Sequence, residues 1–366
     1  MSEQKKRRRG RKFLIVLGVI LGLLLAAGAA VYAAFAQKYY GKSNYVSDKK
    51  EAKVYETLEP ETEINEKGGI EYITEQTLDS EAAVAVQKVF ANGLQSVKGQ
   101  TAVNTEGVYN LLIIGVDRRD DSWYGNSDVT ALLTLNHNKK KIYMTVFQKD
   151  LAADIPGIGV RKLSAACAHG GARLLVETLE ENYGISVDNY LMIDFNALLH
   201  MVDLVGGIDI NVAEDEVTAV NGYIRAVCEA NQEPYEAHML TGSGWMHLDG
   251  YQAVGYFRNR NSEGDSTSGM TDRQERVLNA VMNEINIEDL GDISSLIQEF
   301  LPYVTHNITQ IKLLSLIKDL PSMMDYDMED QMIPYDGMYH TEGGILVPDM
   351  EATLQKLYGT IYSGVQ

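Results

Sequence analysis

Two apolar runs joined by a polar loop set the tightest limit on this fold. Tyr109 to Val116 and Val129 to Leu135 carry few polar residues. Strands of that kind have to be covered on both faces. A third run, Lys141 to Phe147, follows a polar turn from Asn136 to Lys141. Helical spacing then takes over in Ala172 to Tyr183, where Leu175, Thr178, Leu179 and Asn182 share a face and Gly184 stands as a C-cap. Asp188 to Phe195 reads as a strand, Phe195 to Val205 as a helix closed by Gly206-Gly207, and Ile208 to Val212 as a strand. Asp272 to Ile287 reads as a helix with Val277, Ala280, Val281 and Glu284 in register. Strands alternating with helices predict an α/β/α sandwich around a mixed central sheet.

Charged residues stand at the ends of these strands. The first run delivers Asp117 and Arg119, Ser127-Asp128 opens the second, and the third ends in Gln148-Lys149-Asp150. Ligands of open α/β sheets bind outside the carboxyl ends of the strands, and hard divalent cations take carboxylate oxygens together with substrate phosphates. Turn and cap roles account for loop carboxylates as well, so spacing alone leaves both readings open. Further cations come later. An extended chain over Tyr256 to Arg260 puts Tyr256, Arg258 and Arg260 on one face. Arg273, four residues before Val277, lies on the apolar helical stripe. A buried Arg needs an anion, either an internal carboxylate or a bound polyanion such as phosphate, which the guanidinium fork suits.

The first twelve residues hold seven bases and one acid, and Phe13 to Ala36 follows without a charge. Its 24 residues make a helix of about 36 Å, enough to cross a bilayer. The basic flank predicts a cytoplasmic N-terminus and an exported remainder. A cleaved signal ending in the small residues near Ala36 is the other reading of the same run. The whole chain is −19; with +6 in the first twelve residues, −25 is left on the rest. That balance argues against nucleic acid as a partner. Cys167 and Cys228, the two cysteines, are a candidate disulfide in an exported chain. The expected organisation is a basic tail over 1–12, a membrane span over 13–36 and a spacer over 37–104 with a short helix capped by Asp79 or Ser80. A catalytic domain over 105–290 follows, and 291–366 completes the same fold.

Between Tyr109 and Ile287 stand, in order, LLIIGVDRR, NSDVTALLTLN, KLSAACAHGG, DNYLMIDFNALLHMVDLVGGIDI, LDGYQAVGYFRNR and DRQERVL. In this ordered series the chain resembles the LytR-CpsA-Psr family of membrane-anchored phosphotransferases. The resemblance implies an enzyme that moves a polyprenyl-pyrophosphate-linked glycopolymer, of teichoic acid or capsule type, to peptidoglycan outside the cell membrane. It implies release of polyprenyl pyrophosphate, a greasy cleft for the lipid and Mg²⁺ at its mouth. Carried over by position, Asp117 and Asp128 are the metal carboxylates. Arg119, Lys149, Lys162, Arg258, Arg260 and Arg273 are the pyrophosphate ligands, and Asp150, with Arg119 and Lys149, the catalytic set. The chain departs from the family pattern twice. Lys149-Asp150 stands where the family has Arg-Asp, and Thr267 and Met270 replace an Asp and an Arg. A hydrolase with water as acceptor, or a lipid-pyrophosphate binding module without turnover, are the alternatives.

Overall fold

The computed structural model describes residues 44–47, 61–64, 70–73, 78–97, 106–117, 124–259, 267–284, 303–309 and 326–362, with isolated positions from 312 to 323. The expected membrane span lies outside them. Among the described residues no helix is long and apolar enough to cross a membrane.

In chain order the strands are β1 (Asn44–Tyr45), β2 (Glu61–Ile64), β3 (Ile70–Ile73), β4 (Val108–Asp117), β5 (Asn126–Asn136), β6 (Lys141–Phe147), β7 (Ala152–Ile155), β8 (Gly159–Lys162), β9 (Asn189–Asp194), β10 (Ile208–Val212), β11 (Gly244–Leu248), β12 (Val304–His306), β13 (Asp327–Ile333), β14 (Tyr339–Glu342) and β15 (Ile345–Pro348). The helices are α1 (Ser80–Val97), α2 (Leu163–Tyr183), α3 (Phe195–Leu204), α4 (Val217–Asn231), α5 (Gly250–Arg258), α6 (Thr267–Glu284) and α7 (Met350–Ile361). They divide between two compact units, one built mainly from Gln76–Ile193 and Thr305–Gln366, the other mainly from Asp194–Val304.

The first unit holds a seven-stranded mixed sheet in the order β1-β12-β9-β4-β5-β6-β13. Strands β4, β5 and β6 form an antiparallel meander, and β13 runs parallel to β6 at the edge. The last seven residues of β5 are all buried, as strands covered on both faces require. Leu112, Ile114 and Leu132 pack with Val86 and Phe90 of α1, Leu175 and Leu179 of α2, and Leu354 and Leu357 of α7. Each of these side chains stabilises the fold by about 1.5–3 kcal/mol. The sequence places the start of the domain at 105, but α1 belongs to this core. Its N-cap is Asp79, whose Oδ1 accepts from the backbone N–H of Glu81 and Ala82.

The expected helix from Ala172 is the second half of a longer element. Helix α2 begins at Leu163 and is broken by non-helical backbone at Gly170 and Gly171. In the second unit α3, α4, α5 and α6 enclose a core of Leu198, Val202, Ile224, Val254, Phe257 and Val277. An antiparallel pair, β10 with β11, belongs to the same unit. Of the expected extended segment at Tyr256 to Arg260, Tyr256 to Arg258 are instead the end of α5. A capping box made by Asp249 and Gln252 starts that helix.

Candidate functional site

In the first unit the polar residues gather where β4 and β6 end and β5 begins. The β4–β5 ladder pairs Gly115 with Val129 and then Val116 with Ser127, so Asp128 is the extra residue of a β-bulge. A bulge leaves one residue out of the ladder and re-aims its side chain, a device common beside active sites. On the other side of β5 the β5–β6 register pairs Thr130 with Phe147. Two residues beyond each, Asp128 and Lys149 face one another. The Lys149 Nζ lies 3.3 Å from Asp128 Oδ1, with the carboxylate nearly buried. Ser127 is fully buried, and its Oγ accepts from the Thr130 hydroxyl at 3.1 Å. Asp117 is the last residue of β4, opposite Asn126, two positions from Asp128.

The second carboxylate–lysine pair follows directly. Asp150 precedes the β7–β8 hairpin, whose register puts Ala152 opposite Lys162. The backbone N–H groups of Leu163 and Ser164 donate to the carbonyls of Leu151 and Lys149, which extends that ladder. Lys162 Nζ therefore reaches Asp150 Oδ1 at 2.6 Å, both side chains partly exposed. Just beyond, Ser164 to Gly171 is a buried run of small residues and His169. Gly171 has φ +69°, and a Cβ there would lie 3.1 Å from the Tyr124 ring, so the chain turns against that ring only without a side chain.

In the second unit Arg258 and Arg273 are both buried. The Arg258 guanidinium lies over the rings of Phe195, at 4.9 Å, and Tyr223, at 5.5 Å. Arg273 Nε donates to Glu216 Oε1 at 2.6 Å, and Nη1 to the carbonyl of Asn259 at 3.1 Å. Of the two anions open to an inward arginine, the structure supplies the internal carboxylate. Arg276 donates to the Tyr256 hydroxyl at 2.9 Å.

The Asp128 carboxylate fits Mg²⁺, which takes one or two protein carboxylates and completes its shell with water and phosphate oxygens, and the Lys149 ammonium beside it fits those phosphate oxygens. Among the described residues no group of three or more His, Cys, Asp and Glu gathers as a metal cage. The side chain of Asp117, and all of Arg119 and Arg260, lie outside the described residues.

A model of the LytR_cpsA_psr family matches residues 69–357. The chain belongs to this family. Among the LytR_cpsA_psr relatives, a polyisoprenyl-teichoic acid–peptidoglycan teichoic acid transferase TagU of Enterococcus faecalis is 29% identical over 227 residues, 61% of this chain and 68% of that protein. The TagU of Oceanobacillus iheyensis is 32% identical over 181 residues, 48% of this chain and 51% of that one. Biofilm regulatory protein A of Streptococcus mutans is 28% identical over 258 residues, 65% and 61% of the two chains. The chain thus spans between half and about two thirds of the relatives' lengths. A solved structure of TagT bound to LI-WTA is 24% identical, covering 70% of this chain and 91% of that one, with a TM-score of 0.46.

A further expectation fails. Cys167 and Cys228 are not joined in a disulfide. Cys167 is buried among the first core's residues and Cys228 among the second's. Other site features escaped the sequence. Glu216 sits in the acidic run Glu214-Asp215-Glu216, which reads as solvated surface, yet it is buried. Tyr124, Phe195 and Tyr223 carry no motif that ties them to Gly171 or Arg258.

Proposed function

We propose that this protein transfers a polyprenyl-pyrophosphate-linked glycopolymer to peptidoglycan, outside a membrane to which Phe13 to Ala36 anchors it. Membership of the family and the transferase names of its relatives support the reaction class. The observation that carries it is the bulge that sets Asp128 opposite Lys149, next to the Asp150–Lys162 pair. Asp117 and Asp128 are the residues to hold Mg²⁺. Bound there, the ion supplies charge neutralisation to the pyrophosphate.

Asp150 takes the proton of the acceptor hydroxyl. Lys162 holds its Oδ1, which fixes the carboxylate and leaves Oδ2 to accept. General bases act within hydrogen-bond reach of the proton they remove. Lys149 and Lys162 offer point charges to phosphate oxygens. As the acceptor oxygen bonds to the polymer, the lipid carrier leaves with the electron pair of the broken bond. Release of polyprenyl pyrophosphate marks cleavage at the sugar carbon, and release of polyprenyl phosphate marks cleavage at phosphorus.

The test supplies a labelled lipid-linked polymer with sacculi as acceptor, with and without Mg²⁺. Wild type should label the sacculi only with Mg²⁺, and Asp128→Ala should lose that labelling while keeping its fold. Label released into water without acceptor would identify a hydrolase, and binding without turnover would identify a lipid-pyrophosphate module. Protease added to protoplasts should digest the chain beyond Gln37. A protected body would overturn the proposed topology.

A further inference from the structure

The outer face of the β10–β11 hairpin is laid out as a small platform. Asp209 and Asn211 point outward from β10, Trp245 and His247 from β11. The register sets Asn211 directly opposite Trp245 and Asp209 directly opposite His247. Trp245 is 77% exposed, more than any other large hydrophobic residue described. Facing side chains of such pairs stand about 4.5–5.5 Å apart, and successive ones on one face about 7 Å. Four groups therefore share an area about the size of one or two sugar rings.

This face is fixed although it is exposed. His247 Nδ1 lies 2.8 Å from Asp209 Oδ1, and Nε2 lies 2.8 Å from the carbonyl of Gly206. Both partners are acceptors, and together they raise the imidazole's pKa. The ring lies against Gly207, where a Cβ would collide with it, and Gly207 has φ +99°. A glycine and two hydrogen bonds thus hold an exposed ring in one orientation. Pre-organisation of this kind reduces the entropy lost on binding.

We propose that this face binds the neutral sugar rings of a glycan strand, as a docking subsite for the peptidoglycan acceptor. The proposal rests on the transfer function above for its choice of glycan. The Trp245 indole offers a flat apolar surface to the C–H face of a pyranose. The Asn211 amide and the second oxygen of Asp209 offer hydrogen bonds to hydroxyl and acetamido groups. Protonated His247 and Asp209 cancel in charge, which suits an uncharged ligand better than a polyanion. Asp209 also opposes approach to an anionic lipid surface, the other common setting of an exposed tryptophan. Helix α5 begins two residues after β11 and ends at Arg258. Its nine residues span about 13 Å, a distance that a polymeric acceptor covers with a few sugars.

The experiment compares full-length wild type with Trp245→Ala, Trp245→Tyr and Asn211→Ala. Calorimetry with chito-oligosaccharides and co-sedimentation with polymer-stripped sacculi measure glycan binding, and a polyprenyl pyrophosphate titration measures the donor site. Trp245→Ala should weaken glycan binding at least tenfold, Trp245→Tyr should keep most of it, and donor affinity should be unchanged in both. Unchanged glycan binding in Trp245→Ala overturns the proposal. Glycan binding that depends on Trp245 in a protein that transfers nothing would uphold this subsite and refute the transfer function.

Discussion

Lys149 differs from an arginine in shape more than in charge. Its ammonium meets Asp128 at one point, whereas a guanidinium can grip two oxygens at once. Lys149→Arg should therefore tighten polyprenyl pyrophosphate binding several-fold and preserve or raise turnover. A variant that binds the lipid more weakly would show that the site is shaped around an ammonium group. The thiols give a second expectation at this scale. Burial pushes Cys228 up to about 11, and Cys167 is fully buried. Iodoacetamide should thus label neither residue in the native protein and both in denaturant without reductant. A denatured sample that needs reductant before it labels would restore the disulfide.

At the scale of elements, Arg273 separates a structural pair from a ligand-binding one. Removing one partner of a buried ion pair costs about 3–5 kcal/mol, while an apolar replacement of both can be neutral. Arg273→Met should lower the urea midpoint markedly, and adding Glu216→Met should recover most of the loss. Failure of the double variant to recover would mean that the pair is held by further contacts that methionine cannot replace. Helix α2 carries a comparable test. Gly171→Ala adds a Cβ at a positive φ and against Tyr124, which should cost about 1–3 kcal/mol, read as a lower melting temperature.

These elements also show what the sequence could disclose. The spans Lys141 to Phe147 and Ile208 to Val212 are legible to the residue, because apolar content and period announce them. The bulge at Asp128 is not, since it exists only relative to the register of β4. Helix α5 was legible in principle. Asp249 and Gln252 stand three apart, as a capping box requires, but the alternating Tyr256, Arg258 and Arg260 suggested a strand. Glu216 could not be read as buried, because nothing local distinguishes it from Glu214.

For the whole molecule, part of the acid sensitivity follows from one imidazole in the sheet. Burial pushes His306, in β12, down to about 4. Between that value and the ordinary value of about 6.5 the unfolded chain takes up a proton that the folded chain refuses. Stability from this group is therefore complete above about pH 6.5 and falls as pH drops toward 4, by about 3 kcal/mol in all. Urea unfolding at pH 7 and pH 5 should show the loss, and His306→Gln should flatten that part of the slope. An unchanged slope would place the acid sensitivity elsewhere.

The first unit is discontinuous in the chain, since Asp194–Val304 interrupts it. Edge strand β13 and helix α7, both parts of the first unit, are made last. Domains fold as units during synthesis, earlier segments first. A nascent chain stalled once residue 304 has left the ribosome should protect the described elements of the second unit from protease and leave 78–193 readily cut. The guest is finished before its host, and the carboxylates and lysines of the sheet mouth have no settled positions until the last sixty residues have been made.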